Sequence, residues 1–313
     1  MKHSLLLFII LSNCGHIPNW GFHAHKLINE FAIYTLPMDL IPFYKKNLHY
    51  IREMAVNADK RVYIDTAESK RHYLDLDKVE LPQDSLIIPW YKLEKKQNLM
   101  RKWSYGIIPW QIDITYRKLV KAFYERDSNR IIKHSADIGH YLADAHVPLH
   151  SSSNYNGQFT NQIGLHALWE TRIPEKYIPT YNLFVGKAVY IPDVLAFAWK
   201  TINKSHSLLD SVFELELQTR KEIPPIQHKA YIVRGNQIQH NYSDTYVDHY
   251  HNLLDGMVEN RLRMSIQAIG SIWLSAWIDA GQPDLTKSKP ISVLQDTIPY
   301  KGKTSLGREE WHE

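Results

Sequence analysis

Apolar residues recur at helical spacing along most of this chain, and this periodicity constrains the fold more than any other feature of the sequence. Alternation typical of half-buried strands is scarce. The pattern predicts an all-α fold, a single compact multi-helix domain over residues 20–284, with longer loops near 78–112 and 150–164. A polar segment without periodicity, residues 285–313, is predicted to be a C-terminal tail. The five helical stretches are residues 25–36, 115–125, 131–145, 194–219 and 244–278.

The composition is that of a globular protein with a full-sized core. Of the 313 residues, 44% are hydrophobic and 22% are charged. The formal charge of +4 and the pI near 8.8 fall far short of the dense Lys/Arg surface of a duplex-binding module. Cys14 is the only cysteine, so no intramolecular disulfide can form. Stability must therefore come from apolar packing or from bound metal.

The first residues resemble an export signal. Lys2 precedes an apolar run from Leu5 to Leu11, and polar residues follow, a pattern typical of a short secretory signal. We expect residues 1–19 to be a signal peptide or a lipoprotein signal. Cys14 follows the run as in a lipoprotein processing site, and both lipidation and an incidental cysteine remain open. The expected location is periplasmic, extracellular or, through Cys14, anchored to a membrane.

Two pairs of potential metal ligands stand four residues apart. His140 and Asp144 form one pair, and His166 and Glu170 form the other. On a helix, residues i and i+4 share a face, so each pair can grip one ion. One such pair alone is most often a surface hydrogen bond, but two pairs with His150 between them favour metal binding. Imidazole and carboxylate donors without a thiolate suit zinc in an open site.

Five separated segments resemble the zinc-dependent phospholipase C and single-strand nuclease superfamily, helical enzymes built around three zinc ions. The order and approximate spacing of the segments hold over residues 20–170, and residues 269–279 look like the last core helix of that family. The segments are Trp20-Gly21-Phe22-His23-Ala24-His25, Asn57-Ala58-Asp59, Arg71-His72-Tyr73-Leu74-Asp75, His140-xxx-Asp144 followed by His150, and His166-xxx-Glu170.

The resemblance implies a trinuclear zinc cleft. Asp144 would bridge the first two ions, and Asp59 would accept the proton of a water that attacks phosphorus, so that both carboxylates are catalytic. Trp20 would bind through its amine and carbonyl, but the amine is free only if cleavage falls directly before it. The implied ligands are Asp59, His72, His140 and Asp144 for one ion, Trp20, His25 and Asp144 for the second, and His150, His166 and Glu170 for the third.

Three functions remain open. The absence of disulfides and the Glu at position 170 favour an exported phospholipase C-like phosphodiesterase, whereas the five-residue interval from Trp20 to His25 resembles the nucleases. A non-catalytic zinc-binding helical protein is the third possibility. The expected partner is a phosphodiester, either a phospholipid or a single-stranded nucleic acid. Peripheral or lipid-anchored membrane contact is possible, no protein partner is predicted, and the protein is expected to be a monomer.

Several other residues and segments have competing interpretations. Asp137 shares the face of His140 and either orients a ligand imidazole or faces solvent. His134 and His146 fall off that face and are predicted to be surface or core histidines rather than ligands. The amide-rich loop 154–162 either holds substrate or satisfies its own backbone. The aromatic and basic segment 89–110 can stack on bases, lie on lipid, or pack on the helices, and packing is favoured.

Overall fold

The computed structural model describes residues 21–79, 87–94, 104–234, 237–288 and 291. These residues are mostly helical, which confirms the all-α prediction at that level. None of the described helices is long and apolar enough to span a membrane. The α-helices are α1 Gly21–Ile33, α2 Ile41–Lys46, α3 Leu48–Met54, α4 Asn57–Arg61, α5 Trp90–Glu94, α6 Ile108–Tyr124, α7 Ser128–His146, α8 Leu165–Ala167, α9 Ile173–Tyr177, α10 Val194–His206, α11 Leu209–Glu222, α12 Asp244–Leu253 and α13 Met257–Asp279.

Helix α7 lies at the centre of the fold. It packs against α1, α3, α6, α10 and α13. The Asp127 side chain caps its start by accepting a hydrogen bond from the Arg130 amide at 3.1 Å. From Ser135 to His146 every residue is buried. A helix buried on all sides normally carries apolar residues only, so the polar side chains of α7 need partners inside the protein.

A close approach of two helices brings the first ligand segment to α7. A Cβ added to Gly139 would lie 2.0 Å from Oδ1 of Asn29, so only glycine fits against α1 at this position. Asn29 is fully buried, and its Nδ2 donates to the His25 carbonyl at 3.0 Å. The glycine therefore sets the distance between the two helices that carry His25 and His140.

The predicted helical stretches are found, but two of them are divided. The stretch 194–219 contains all of α10 and most of α11, and the stretch 244–278 is broken between α12 and α13. Asp255 and Gly256 both have positive φ there, 45° and 73°, which an α-helix cannot continue through. The predicted loop near 78–112 includes α5 and the first turn of α6.

A β-hairpin was missed by the periodicity analysis. Strands β1 Lys229–Arg234 and β2 Gln237–Tyr242 pair antiparallel, with Lys229 opposite Tyr242 and Val233 opposite Ile238. Short polar-apolar alternation between two long helices gave too weak a signal for a strand. At the other end of the chain, Leu285, placed at the start of the predicted tail, is buried in the core on a 3₁₀ turn, Leu285–Lys287.

Candidate metal centre

The first group of ligand atoms gathers around His140. Its Nε2 lies 3.1 Å from Oδ1 of Asp59, 3.1 Å from Nδ1 of His72 and 3.3 Å from Oδ2 of Asp144. Nδ1 of His72 lies 2.9 Å from the same Asp144 oxygen. Donors around a tetrahedral ion with bonds of about 2 Å lie about 3.3 Å apart, so this spacing fits a single ion. Asp59 comes from α4, His72 from the turn after a 3₁₀ segment, and the other two from α7.

The second group is built around His25 of α1. Its Nε2 lies 3.4 Å from Oδ1 of Asp144 and 3.6 Å from Oε1 of Glu170, and its ring stacks on that of His140 with centroids 4.1 Å apart. These separations also suit donors that share one ion. Trp20, the other ligand predicted here, lies outside the described residues.

The third group joins the turn after α7 to the segment that follows α8. Oε2 of Glu170 lies 3.3 Å from Nε2 of His150 and 2.6 Å from Nε2 of His166. Glu170 stands in a short π-helix, Leu168–Arg172, a rare conformation that is frequent at functional sites. Gly164, with φ of 96°, begins this helical segment in the left-handed region.

Two carboxylates are shared between neighbouring groups. Asp144 presents Oδ2 to His72 and His140 and Oδ1 to His25. Glu170 presents Oε1 to His25 and Oε2 to His150 and His166. Asp144 is predicted to bridge two ions, and its two oxygens face different histidines, as that role requires. Glu170 has the same arrangement, which the sequence did not predict. The three groups therefore form one continuous centre.

Backbone carbonyls orient most of the imidazoles. Nδ1 of His140 lies 2.8 Å from the Ala55 carbonyl, and Nδ1 of His150 lies 2.7 Å from the His72 carbonyl. Nδ1 of His166 lies 3.2 Å from the Tyr155 carbonyl. A carbonyl accepts only, so each Nδ1 carries the proton and each Nε2 turns its lone pair to the centre. This is the tautomer that a metal ligand requires.

A charged network supports His72 from behind. Nε2 of His72 lies 3.7 Å from Oε1 of Glu68, which is fully buried. That oxygen accepts hydrogen bonds from the Tyr141 hydroxyl at 2.5 Å and from Nη2 of Arg61 at 3.2 Å. Burial alone would raise the pKa of Glu68, but the facing His72 and Arg61 lower it, so the group stays ionised.

Asp137 fits neither of the two interpretations that the sequence leaves open, since it is buried and bonds to Arg61 instead of a ligand imidazole. Its Oδ1 accepts from Nη1 of Arg61 at 3.0 Å, and Lys133 lies 3.5 Å from its other oxygen. The ring of His140 takes the Ala55 carbonyl instead, because that carbonyl lies at the ring edge away from the centre. Asp137 thus contacts the centre only through Arg61 and Glu68.

The electrostatics of the centre require positive charge among its carboxylates. Burial alone would raise the pKa of Asp144 and Glu170, yet the facing histidines hold both pKa values below their usual range. Asp144 Oδ1 is buried and accepts no hydrogen bond from the part of the chain that the structure describes. A buried anionic oxygen without a donor is costly, and a bound cation removes that cost.

The same carboxylates raise the pKa values of the histidines that face them. Burial alone would lower the pKa of His150, but Asp144 and Glu170 raise it to about 9. Asp144 likewise raises the pKa of His72 and of His140. Without metal, protons therefore occupy the positions that an ion would take. The donors are nitrogen and oxygen in all three groups. Three sets of side chains bring ligand atoms close enough to hold a metal ion: Asp59 with His72 and His140, His25 with His140 and Asp144, and His150 with His166 and Glu170.

The remaining predicted residues lie outside the centre. His146 is buried, with Nδ1 2.7 Å from the Leu142 carbonyl, and His134 is not part of any of the three groups. In the amide-rich loop, Asn156 Oδ1 accepts a hydrogen bond from the Gly164 backbone amide at 3.0 Å. The Asn156 side chain therefore satisfies a backbone donor of its own loop. In the aromatic segment, Trp110 is fully buried and packs on Trp90 with centroids 5.5 Å apart.

Comparison of the sequence with models of known protein families and with curated proteins gives no match.

Proposed function

We propose that this protein is a zinc-dependent phosphodiester hydrolase with three ions, related to the phospholipase C and single-strand nuclease superfamily. The observation that carries the proposal is the sharing of Asp144 and Glu170, each with one oxygen on either side, between adjacent donor groups. Shared carboxylates suit ions held a few ångströms apart, the spacing of multi-metal sites that act on phosphate esters. The absence of any thiolate donor favours zinc held by nitrogen and oxygen in a catalytic site.

Different residues of the metal centre would bind zinc and accept the proton of the attacking water. Bound zinc would supply a water of lowered pKa and positive charge opposite the phosphoryl oxygens. Asp59, 9% exposed, stands at the edge of the centre and accepts the proton of the attacking water through the carboxylate oxygen that does not face His140. Asp144 is fully buried, and its two oxygens face histidines of different donor groups.

The proposed substrate class rests on the resemblance to the phospholipase C and single-strand nuclease superfamily and not on the geometry of the metal centre. The Glu at position 170 and the lack of disulfides support the proposal of an exported phospholipase C-like phosphodiesterase. A single-strand nuclease or nucleotidase would use the same donor groups and is the alternative. In both cases a phosphate ester would bind at the exposed parts of the centre, where Asp59 and Glu170 keep 12% and 14% of their side chains exposed.

The test combines metal analysis with a substrate panel. Zinc-loaded protein is assayed on phosphatidylcholine vesicles, single-stranded DNA and RNA, and bis-p-nitrophenyl phosphate. We expect close to three zinc ions per chain and hydrolysis of at least one phosphodiester that is lost on chelation and restored by zinc. Asp137→Asn is the matched control for Asp144→Asn, since both are carboxylates of α7.

The control variant should keep zinc and activity, whereas Asp144→Asn should lose both. Zinc bound without any turnover on the panel would favour the non-catalytic zinc-binding protein. Protein that purifies without bound zinc and binds none on addition would overturn the metal centre itself.

A further inference from the structure

A cavity outside the metal centre lies between α10, α13 and the extended segment 182–192. Its volume is about 480 Å³, within the range of pockets that hold a small organic ligand. Its walls are largely apolar and include Val185, Val189, Ile191 and Phe197. None of the proposed zinc ligands lines this cavity, which we call the groove.

The groove has two chemically different ends. Nη2 of Arg261 donates to Oγ of Ser205 at 2.5 Å, which joins the start of α13 to the end of α10. The Ile191 amide donates to Oγ of Ser275 at 2.8 Å, which brings the chain leading into α10 to the end of α13. The two helices are therefore antiparallel along the groove, and one end is defined by Arg261 and the other by Ile191.

Positive charge collects at the Arg261 end. The cationic residues that line the groove are Lys200, Lys204, Arg261 and Arg263, and its lining contains no carboxylate. Among the described residues, none of these four cations has a carboxylate within 4.0 Å. The apolar end carries Val189, Ile191 and Phe197 beside Ala268.

Arg261 is the unusual member of this group. It is 3% exposed, and its hydrogen bonds go only to neutral acceptors, the His146 carbonyl, the Ser205 hydroxyl and, weakly, the Met264 sulfur at 3.6 Å. Burial lowers the pKa of Arg261 to about 10, so it still carries its charge at neutral pH. A buried guanidinium without an anion is costly, and an anion in the groove would remove that cost.

We propose that this groove binds a single-chain lipid that carries a phosphate monoester, with the phosphate at the Arg261 end and the chain along Val189, Ile191 and Phe197. Several cations that line one groove without a carboxylate partner suit a phosphate, which carries up to two negative charges, better than a carboxylate, which carries one. Apolar walls beyond the charge suit an alkyl chain, and a purely polar anion would leave them unused.

The probe is dodecyl phosphate, titrated below its micelle concentration into full-length protein and followed by calorimetry. Dodecanol tests the chain alone, inorganic phosphate tests the headgroup alone, and dodecanoate tests a carboxylate on the same chain. We expect dodecyl phosphate to bind at least about tenfold more tightly than each of the three. Dodecanoate that binds as tightly as dodecyl phosphate would overturn the choice of phosphate, and dodecanol that does so would overturn the role of the cations.

Two variants probe the two ends. Lys200→Gln with Lys204→Gln removes exposed cations and should weaken binding about tenfold, while the matched pair Lys118→Gln with Lys121→Gln, exposed on α6, should leave it unchanged. Val189→Asp places a negative charge at the apolar end and should weaken binding by a similar factor.

The titration is repeated on zinc-loaded and on chelated protein. Binding to the groove should persist in both, because none of the proposed zinc ligands lines it. Binding that disappears on chelation, or equal loss in the two lysine pairs, would assign the lipid to the metal centre or to general charge attraction and would overturn the proposal.

Discussion

We expect the metal-free protein to lose stability as the pH rises from 6.5 to about 9, because of His150. The pKa of this buried histidine is raised from 6.5 to about 9 by Asp144 and Glu170. Its folded pKa lies above its unfolded value, so its contribution is complete below pH 6.5 and is lost as the pH rises through 9. The difference between the two pKa values corresponds to about 3 kcal/mol.

The zinc-loaded protein should respond in the opposite direction over the same range. An ion binds only to the neutral imidazole, so zinc competes better as protons leave and the loaded protein gains stability with rising pH. Urea denaturation with zinc and with a chelator, each at pH 6.5 and at pH 9, measures both slopes.

His150→Gln should reduce the loss in the chelated protein, and the loss that remains should come from His72 and His140, whose pKa values are also raised. His134→Gln is the control, because burial lowers the pKa of His134 to about 4 and the residue is neutral throughout this range. The reasoning fails if chelated wild-type protein is equally or more stable at pH 9, or if His150→Gln keeps the full loss.

Three further results are expected. Asp144→Asn should lose more zinc and activity than His146→Ala, as measured by metal analysis and turnover, since Asp144 faces two donor groups and His146 none; equal losses would refute this. Gly139→Ala should cost about 1–3 kcal/mol in thermal denaturation because its Cβ would displace the buried amide of Asn29; an unchanged melting temperature would contradict the close packing. Mass spectrometry of the exported protein should find Trp20 at the amino terminus, and a lipid-modified cysteine would exclude its amine as a ligand.

Helical periodicity predicted the fold well wherever a helix has one apolar face. It failed at Asp255 and Gly256, where apolar spacing continues through a change of direction that only the backbone angles show. It failed again at the hairpin, whose outer residues Tyr231 and Val233 are largely exposed and give no core-facing alternation. Such breaks depend on tertiary contacts that a sequence window does not contain.

Spacing alone predicted which ligands share a helix, but not which helices meet. The pairs His140 with Asp144 and His166 with Glu170 were accessible from the i,i+4 rule. The approach of His25 to Glu170 depends on α1 packing beside the π-helix, and no spacing rule joins residues so far apart in the chain. The second shared carboxylate was missed for that reason.

The shared carboxylates also bear on the charge of the substrate. Asp59, Asp144 and Glu170 are the carboxylates of the three groups, and three divalent ions would carry twice as many positive charges as these groups carry negative. Glu68, the nearest further carboxylate, is already paired with Arg61 and Arg71 and cannot balance the excess. The loaded centre would therefore attract an anion to its exposed edge, where Asp59 and Glu170 lie. A phosphodiester meets that requirement, whereas a neutral ester or amide would leave the excess charge uncompensated.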